Sequence, residues 1–223
     1  MYWILFGIVA LVSWIVSASL ERKFKKYSKV PLNMTGAEVA EKMLRENGIT
    51  DVKVVSTRGH LTDHYNPATK TVNLSESVYS SATVAAAAVA AHECGHAVQH
   101  ERAYAPLQLR SALVPVVNFS NRWTMWVILI GMLVINSFPQ LIWIGIGLYA
   151  LTTLFTFVTL PVEVDASRRA VSWLREAGIT DNHTTEMASE ALHAAAYTYV
   201  VAALASLATL VYYILIALGG SRR

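Results

Sequence analysis

The apolar runs of this chain limit its fold more than any other feature. Residues 2–20 carry no charge, residues 123–138 and 141–160 are apolar around Ser137-Phe138-Pro139-Gln140, and residues 194–218 are apolar with several tyrosines. A backbone that leaves water must satisfy its own N–H and C=O groups, which for a single segment means a helix. About twenty apolar residues cross the hydrocarbon core. Composition agrees, with 54% hydrophobic residues, only 15% charged and a mean hydropathy of +0.41. The reading is a mainly α membrane protein with about four transmembrane helices and a small α+β cytoplasmic domain. Six Trp and ten Tyr suit interfacial belts. The small net charge of +3 points to membrane orientation rather than to nucleic acid.

Charge distribution orients these runs. A cleaved signal peptide competes for the first, with Ser17-Ala18-Ser19 as a small-residue site. No Lys or Arg precedes that run, however, and Arg22, Lys23, Lys25, Lys26 and Lys29 follow it, the reverse of a secretory signal. The expectation is an uncleaved anchor over 1–20 with its N-terminus outside. Residues 21–122 hold 13 of the 18 Lys and Arg, which places them in the cytoplasm. A transmembrane helical hairpin follows over 123–160, then cytoplasmic helices over 161–193 and a C-terminal transmembrane helix over 194–218. Four spans leave Arg222 and Arg223 outside, mildly against the charge rule.

Within 21–122, Thr35 and Glu38 form a capping box that opens a helix ending at Gly48. Residues 52–55 read as a strand, and residues 61–65 and 71–74 as a hairpin around Asn66-Pro67-Ala68-Thr69-Lys70. His60 and His64 read as polar strand residues rather than ligands. Leu44-Arg-Glu-Asn-Gly-Ile-Thr-Asp51 nearly repeats as Leu174-Arg-Glu-Ala-Gly-Ile-Thr-Asp181, which reads as one helix-stop signal used twice. The sequons at Asn33, Asn73, Asn118 and Asn182 are incidental in a cytoplasmic domain.

The chemistry gathers at Ala91-His92-Glu93-Cys94-Gly95-His96-Ala97. The alanine-rich run before it is a strong helix former, but about ten residues of mostly Ala are too short for a span. Positions four apart share a helix face, so His92 and His96 converge on one point that suits Zn²⁺, one ion per chain. Glu93 is placed to take a proton from a metal-bound water. The bland alternative is a polar stripe on an amphipathic helix. Cys94, the only cysteine, allows no intramolecular disulfide and, pointing to another face, reads as packed.

Catalytic zinc wants a third protein ligand. His100 lies about 80° round the helix and about two turns along, out of reach. The extended motif needs Gly at 99 and His at 102, where this chain has Gln99 and Arg102. After position 101 the acids are Glu163, Asp165, Glu176, Asp181, Glu186 and Glu190. Glu163 and Asp165 directly follow an apolar run, where charges are costly without partners. The pair reads either as a membrane-exit cap balanced by Arg168 and Arg169, or as Glu163 ligating metal. In the second case Asp165 could accept the far N–H of a ligating His and so support the first ligand shell.

His92-Glu93-Cys94-Gly95-His96-Ala97 together with Pro161-Val-Glu-Val-Asp-Ala-Ser-Arg-Arg-Ala170 resembles the YugP-type neutral zinc metallopeptidases, a family of bacterial membrane proteins. Leu61-Thr-Asp-His-Tyr65, Thr71-Val-Asn-Leu-Ser75 and Ala196-Tyr-Thr-Tyr-Val200 extend the resemblance over almost the whole chain. It implies a multi-pass membrane metallopeptidase with a zincin-like core and Glu163 as third ligand beside His92 and His96. Glu93 would then be the general base against a peptide or protein substrate, which could be membrane-associated. The spacing of Glu163 and Asp165 is two, where membrane zincins often have four. Candidate oxyanion donors are His193, Tyr197, Tyr199 and Arg168. The 59–65 segment could pair as an edge strand with an extended substrate.

Two other readings compete. Intramembrane proteolysis would need the His-Glu motif in a spanning helix, and no Leu-Asp-Gly partner motif is present. A zinc-stabilised membrane scaffold or partner-binding protein without proteolysis has no need of Glu93 beside its ligands.

Overall fold

The computed structural model describes residues 2–59 and 61–220. His60, Arg222 and Arg223, named in the sequence analysis, lie outside them. The described elements are α1 (Tyr2–Tyr27), α2 (Gly36–Glu46), β1 (Lys53–Thr57), β2 (His64–Asn66), β3 (Thr71–Ser75), α3 (Glu76–Tyr79), α4 (Val84–Glu101), α5 (Ala105–Leu133), α6 (Gln140–Glu176) and α7 (Asn182–Gly220). The chain divides into two compact units. One holds the first part of α1, residues 108–160 and residues from 199 on; the other holds residues 14–107 and 161–198.

The second unit carries the small sheet and the motif helix. Its three strands run in the order β1-β3-β2, with β1 parallel and β2 antiparallel to β3. The expected hairpin is therefore present, and β2 is an edge. Asp63 pins the start of β2 to the end of β3 by accepting from Ser75 N at 2.7 Å and from its hydroxyl. Helix α2 opens on the full Thr35–Glu38 capping box. The repeated stop signal takes the same form at both sites. Gly48 and Gly178 adopt φ +74° and +66°, and the Ile49 and Ile179 amides return to Leu44 O and Leu174 O at 2.9 and 3.0 Å. Only glycine adopts that conformation without strain.

Helix α4 is the core of this unit. Thr83 caps its start by accepting from Ala86 N. Apolar residues occupy most of its circumference, which fits a helix packed on nearly all sides. Ala85, Ala87, Ala88, Ala90, Ala91 and Cys94 pack into one core with Val39, Met43, Val72, Leu74, Leu174 and Ala188. Small side chains let neighbouring backbones come close. Cys94 Sγ lies 3.6 Å from Ala40 O, in a packed position as expected.

The other unit reverses the soluble pattern. Thr153 and Ser206 are buried and share a hydrogen bond of 2.8 Å, while Trp123, Trp126, Leu133 and Ile144 are exposed. Glycines allow the hairpin between α5 and α6 to close. A Cβ at Gly131 would meet Ile142 backbone atoms at 2.8 Å, and one at Gly145 would meet an Ile128 side-chain atom at 2.6 Å. Small residues at helix contacts are the usual device where apolar side chains face lipid.

Three described helices, α5, α6 and α7, are long and apolar enough to cross a membrane, not four. Helix α1 forms as expected but is not among them. Its apolar run continues in the same helix into Glu21, Arg22, Lys23, Lys25 and Lys26. The first apolar run of the hairpin does not open a helix of its own, since α5 runs unbroken from Ala105 to Leu133 through Pro115. Nor does Pro161 begin a new segment, because α6 runs through it. Tertiary context outweighs the cost of an internal proline, about 3 kcal/mol.

Burial pushes the Cys94 thiol well above its usual range. The folded protein should therefore leave Cys94 unlabelled by maleimide and release one reactive thiol on denaturation. Rapid labelling of the native chain would contradict the packing described for α4.

Candidate metal centre

The site lies wholly within the second unit and is built from α4 and α6. His92 and His96, one turn apart on α4, share a face as the four-residue spacing requires. Their rings sit edge to face with centroids 4.8 Å apart. Helix α6 brings Glu163 against both: its Oε2 lies 3.3 Å from His92 Nε2 and 3.6 Å from His96 Nε2. The approach depends on Gly95, where a Cβ would meet Ala166 O at 2.7 Å and leave no room for any other residue.

One ligand atom from each of these three residues lies within 4.8 Å of the others. Two donors at about 2.0–2.1 Å from a tetrahedral ion stand about 3.3–3.4 Å apart. The observed oxygen–nitrogen separations are close to that value. Two imidazoles and one carboxylate, with a fourth direction left over, form a donor set suited to catalytic zinc. Glu163 is 3% exposed and so has little access to water as an alternative partner.

The far nitrogens of both rings are engaged. His92 Nδ1 lies 3.1 Å from Ser167 Oγ, and His96 Nδ1 lies 3.0 Å from Gln99 Oε1. Asp165, a candidate to accept one of these N–H groups directly, meets neither. Its carboxylate accepts from Gln99 Nε2 at 3.0 Å, from Arg168 at 2.7 Å and from Arg169 at 2.5 Å. The two acids that follow the apolar run thus separate: Glu163 turns to the imidazoles, and Asp165 takes the arginines. Sequence reasoning passed over both Gln99 and Ser167. The available signal was helical spacing, since Gln99 is three residues after His96 and Ser167 four after Glu163.

Glu93 is 8% exposed, and one carboxylate oxygen accepts from the Tyr65 backbone N–H of β2 at 3.1 Å. The edge strand therefore touches the proposed base. Among the described residues, no other histidine joins the three donors. His64 Nδ1 faces Thr62 O at 2.7 Å, and His100 lies beside Tyr65. Of the oxyanion candidates, His193 pairs with Ser189 at 3.2 Å. With Arg168 and Ser167 it lines a cavity of about 360 Å³. Tyr197 is 61% exposed. Tyr199 falls in the other unit.

Burial disfavours a charged His96, but its hydrogen bond to Glu163 and the charges of Glu93 and Glu163 outweigh this, so its pKa is raised. A raised pKa means that a proton competes with an incoming metal for His96 at higher pH than it would at a free imidazole. Zinc affinity should accordingly fall as the pH drops from about 8 to about 6, and competition against a chelator reads this directly. Gly95→Ala should force α4 and α6 apart, costing about 1–3 kcal/mol in thermal unfolding and weakening zinc binding. Zinc binding unchanged by that substitution would contradict the close approach.

Comparison with known proteins bears on the family. A family profile described as "Putative neutral zinc metallopeptidase" matches residues 2–218. The chain is 42% identical over 223 residues to "Putative membrane protease YugP" of Bacillus subtilis (strain 168), covering 99% of this chain and 98% of that one. No solved structure matches the chain. A profile match over nearly the whole length, and a relative aligned from end to end, establish that the chain belongs to the neutral zinc metallopeptidase family.

Proposed function

We propose that the chain is a multi-pass membrane zinc endopeptidase, with a zincin-like core, that hydrolyses peptide bonds near the cytoplasmic membrane face. The observation that carries this reading is the convergence of His92, His96 and Glu163, with Glu93 next to His92 in the chain. Zinc held by the three donors would supply Lewis-acid polarisation of a peptide carbonyl and acidify a water. Glu93 would accept the proton of the attacking water and return it to the leaving amine. Its bond from the Tyr65 N–H orients the carboxylate for this work. Strand β2, at the sheet margin, offers an edge along which an extended peptide could align.

Membrane embedding is supported by α5, α6 and α7, and by exposed Trp and Leu side chains around buried hydroxyls. The cytoplasmic side rests on the 13 Lys and Arg of residues 21–122. The relative's printed name, a membrane protease, points the same way.

Comparing the purified wild type with Glu93→Gln and Glu163→Ala for zinc content and cleavage of an unfolded protein tests this reading. Glu93→Gln should keep its zinc and lose cleavage by about 10²–10⁴-fold. Glu163→Ala should lose zinc as well. Equal turnover by wild type and Glu93→Gln would sink the peptidase reading and favour a zinc-stabilised scaffold.

A further inference from the structure

Gln99 is fully buried, and every polar atom of its side chain is committed. Its amide nitrogen faces two groups, the Val162 carbonyl oxygen at 2.8 Å and the Asp165 carboxylate at 3.0 Å. A main-chain carbonyl can only accept. Asp165, paired with Arg168 and Arg169, is a charged acceptor as well. The amide therefore has one satisfiable orientation, because a flip would set its oxygen against two other oxygens in a buried site. With the nitrogen fixed there, Oε1 must face His96 Nδ1 at 3.0 Å. An amide oxygen only accepts, so that ring nitrogen must carry a hydrogen.

We propose that Gln99 is the positioning residue of the metal centre, holding His96 as the Nδ1–H form so that Nε2 is the nitrogen presented to the metal. The inference rests on the zinc reading and adds to it the device that sets one ligand's orientation. Asp165 acts one step further out, by fixing the amide that fixes the ring. Arg168 and Arg169 hold Asp165 in turn. His92 lacks such a device, since the Ser167 hydroxyl rotates and can donate or accept.

Two substitutions in the full chain in detergent separate positioning from simple packing. Gln99→Met keeps the length but removes both the acceptor for His96 and the donors to α6. Gln99→Glu removes the donors and keeps an acceptor beside Nδ1. Both should melt below wild type when metal-free. Zinc affinity, read by competition with a chromogenic chelator, should fall about 10–100-fold in Gln99→Met and stay within about threefold of wild type in Gln99→Glu. Unchanged affinity in Gln99→Met, or equal losses in both variants, would overturn the proposal.

An arm that needs no variant decides the matter if either fails to fold. Nitrogen-15 spectra of histidine-labelled, zinc-loaded wild type should show the hydrogen of His96 on Nδ1, and a hydrogen on Nε2 would overturn the proposal. Wild type that binds no zinc at all would sink the metallopeptidase reading with it. Unchanged affinity in Gln99→Met would sink only the role of Gln99.

Discussion

The backbones of α4 and α6 meet at Gly95 and Ala166 so closely that one extra carbon would lie 2.7 Å from a carbonyl oxygen. That approach brings the Glu163 carboxylate to two imidazoles on the neighbouring helix, and the rest of the site follows from it. It requires a motif helix without bulk, which the alanines before His92 supply. It also brings Gln99 within reach of Val162 and Asp165, so the same contact that assembles the donors fastens their surroundings. A carboxylate buried beside two imidazoles needs those partners, because water is not there to replace them.

The two units solve opposite solvation problems with the same residue types. Around α4, small apolar side chains fill a core and the charged groups lie outside it or in the site. In the helices of the other unit, hydroxyls such as Thr153 and Ser206 face inward while tryptophans and leucines face out. Such an arrangement is stable where the surroundings are apolar. A chain with 54% hydrophobic residues carries both by drawing each unit from separate segments, the α4 unit from residues 14–107 and 161–198, the other from the first part of α1, residues 108–160 and those from 199 on.

Much of this was legible in the residues. The capping box, the hairpin and the twice-used glycine stop depend on local chemistry, and the structure forms all three where it was expected. The face shared by His92 and His96 follows from the helical period alone. The misses were of two kinds. Pro161 was read as opening a new segment, yet α6 continues through it, since packing across many residues outweighs a local penalty. Asp165 was a candidate to accept directly from a ligating histidine, and the structure interposes Gln99. An uncharged amide gives no signal of its own in a sequence, and its role appears only once two helices are side by side.

Residues 97–162 separate the second imidazole from the carboxylate, and they include α5 and the apolar part of α6. A nascent chain that ends before Glu163 holds two of the three donors on a helix already able to form, and cannot close the set. Assembly of the centre is thus deferred to a late stage of synthesis, after both apolar segments have been made. The order of the chain itself keeps a translation product that stops short of Glu163 from carrying the full ligand set.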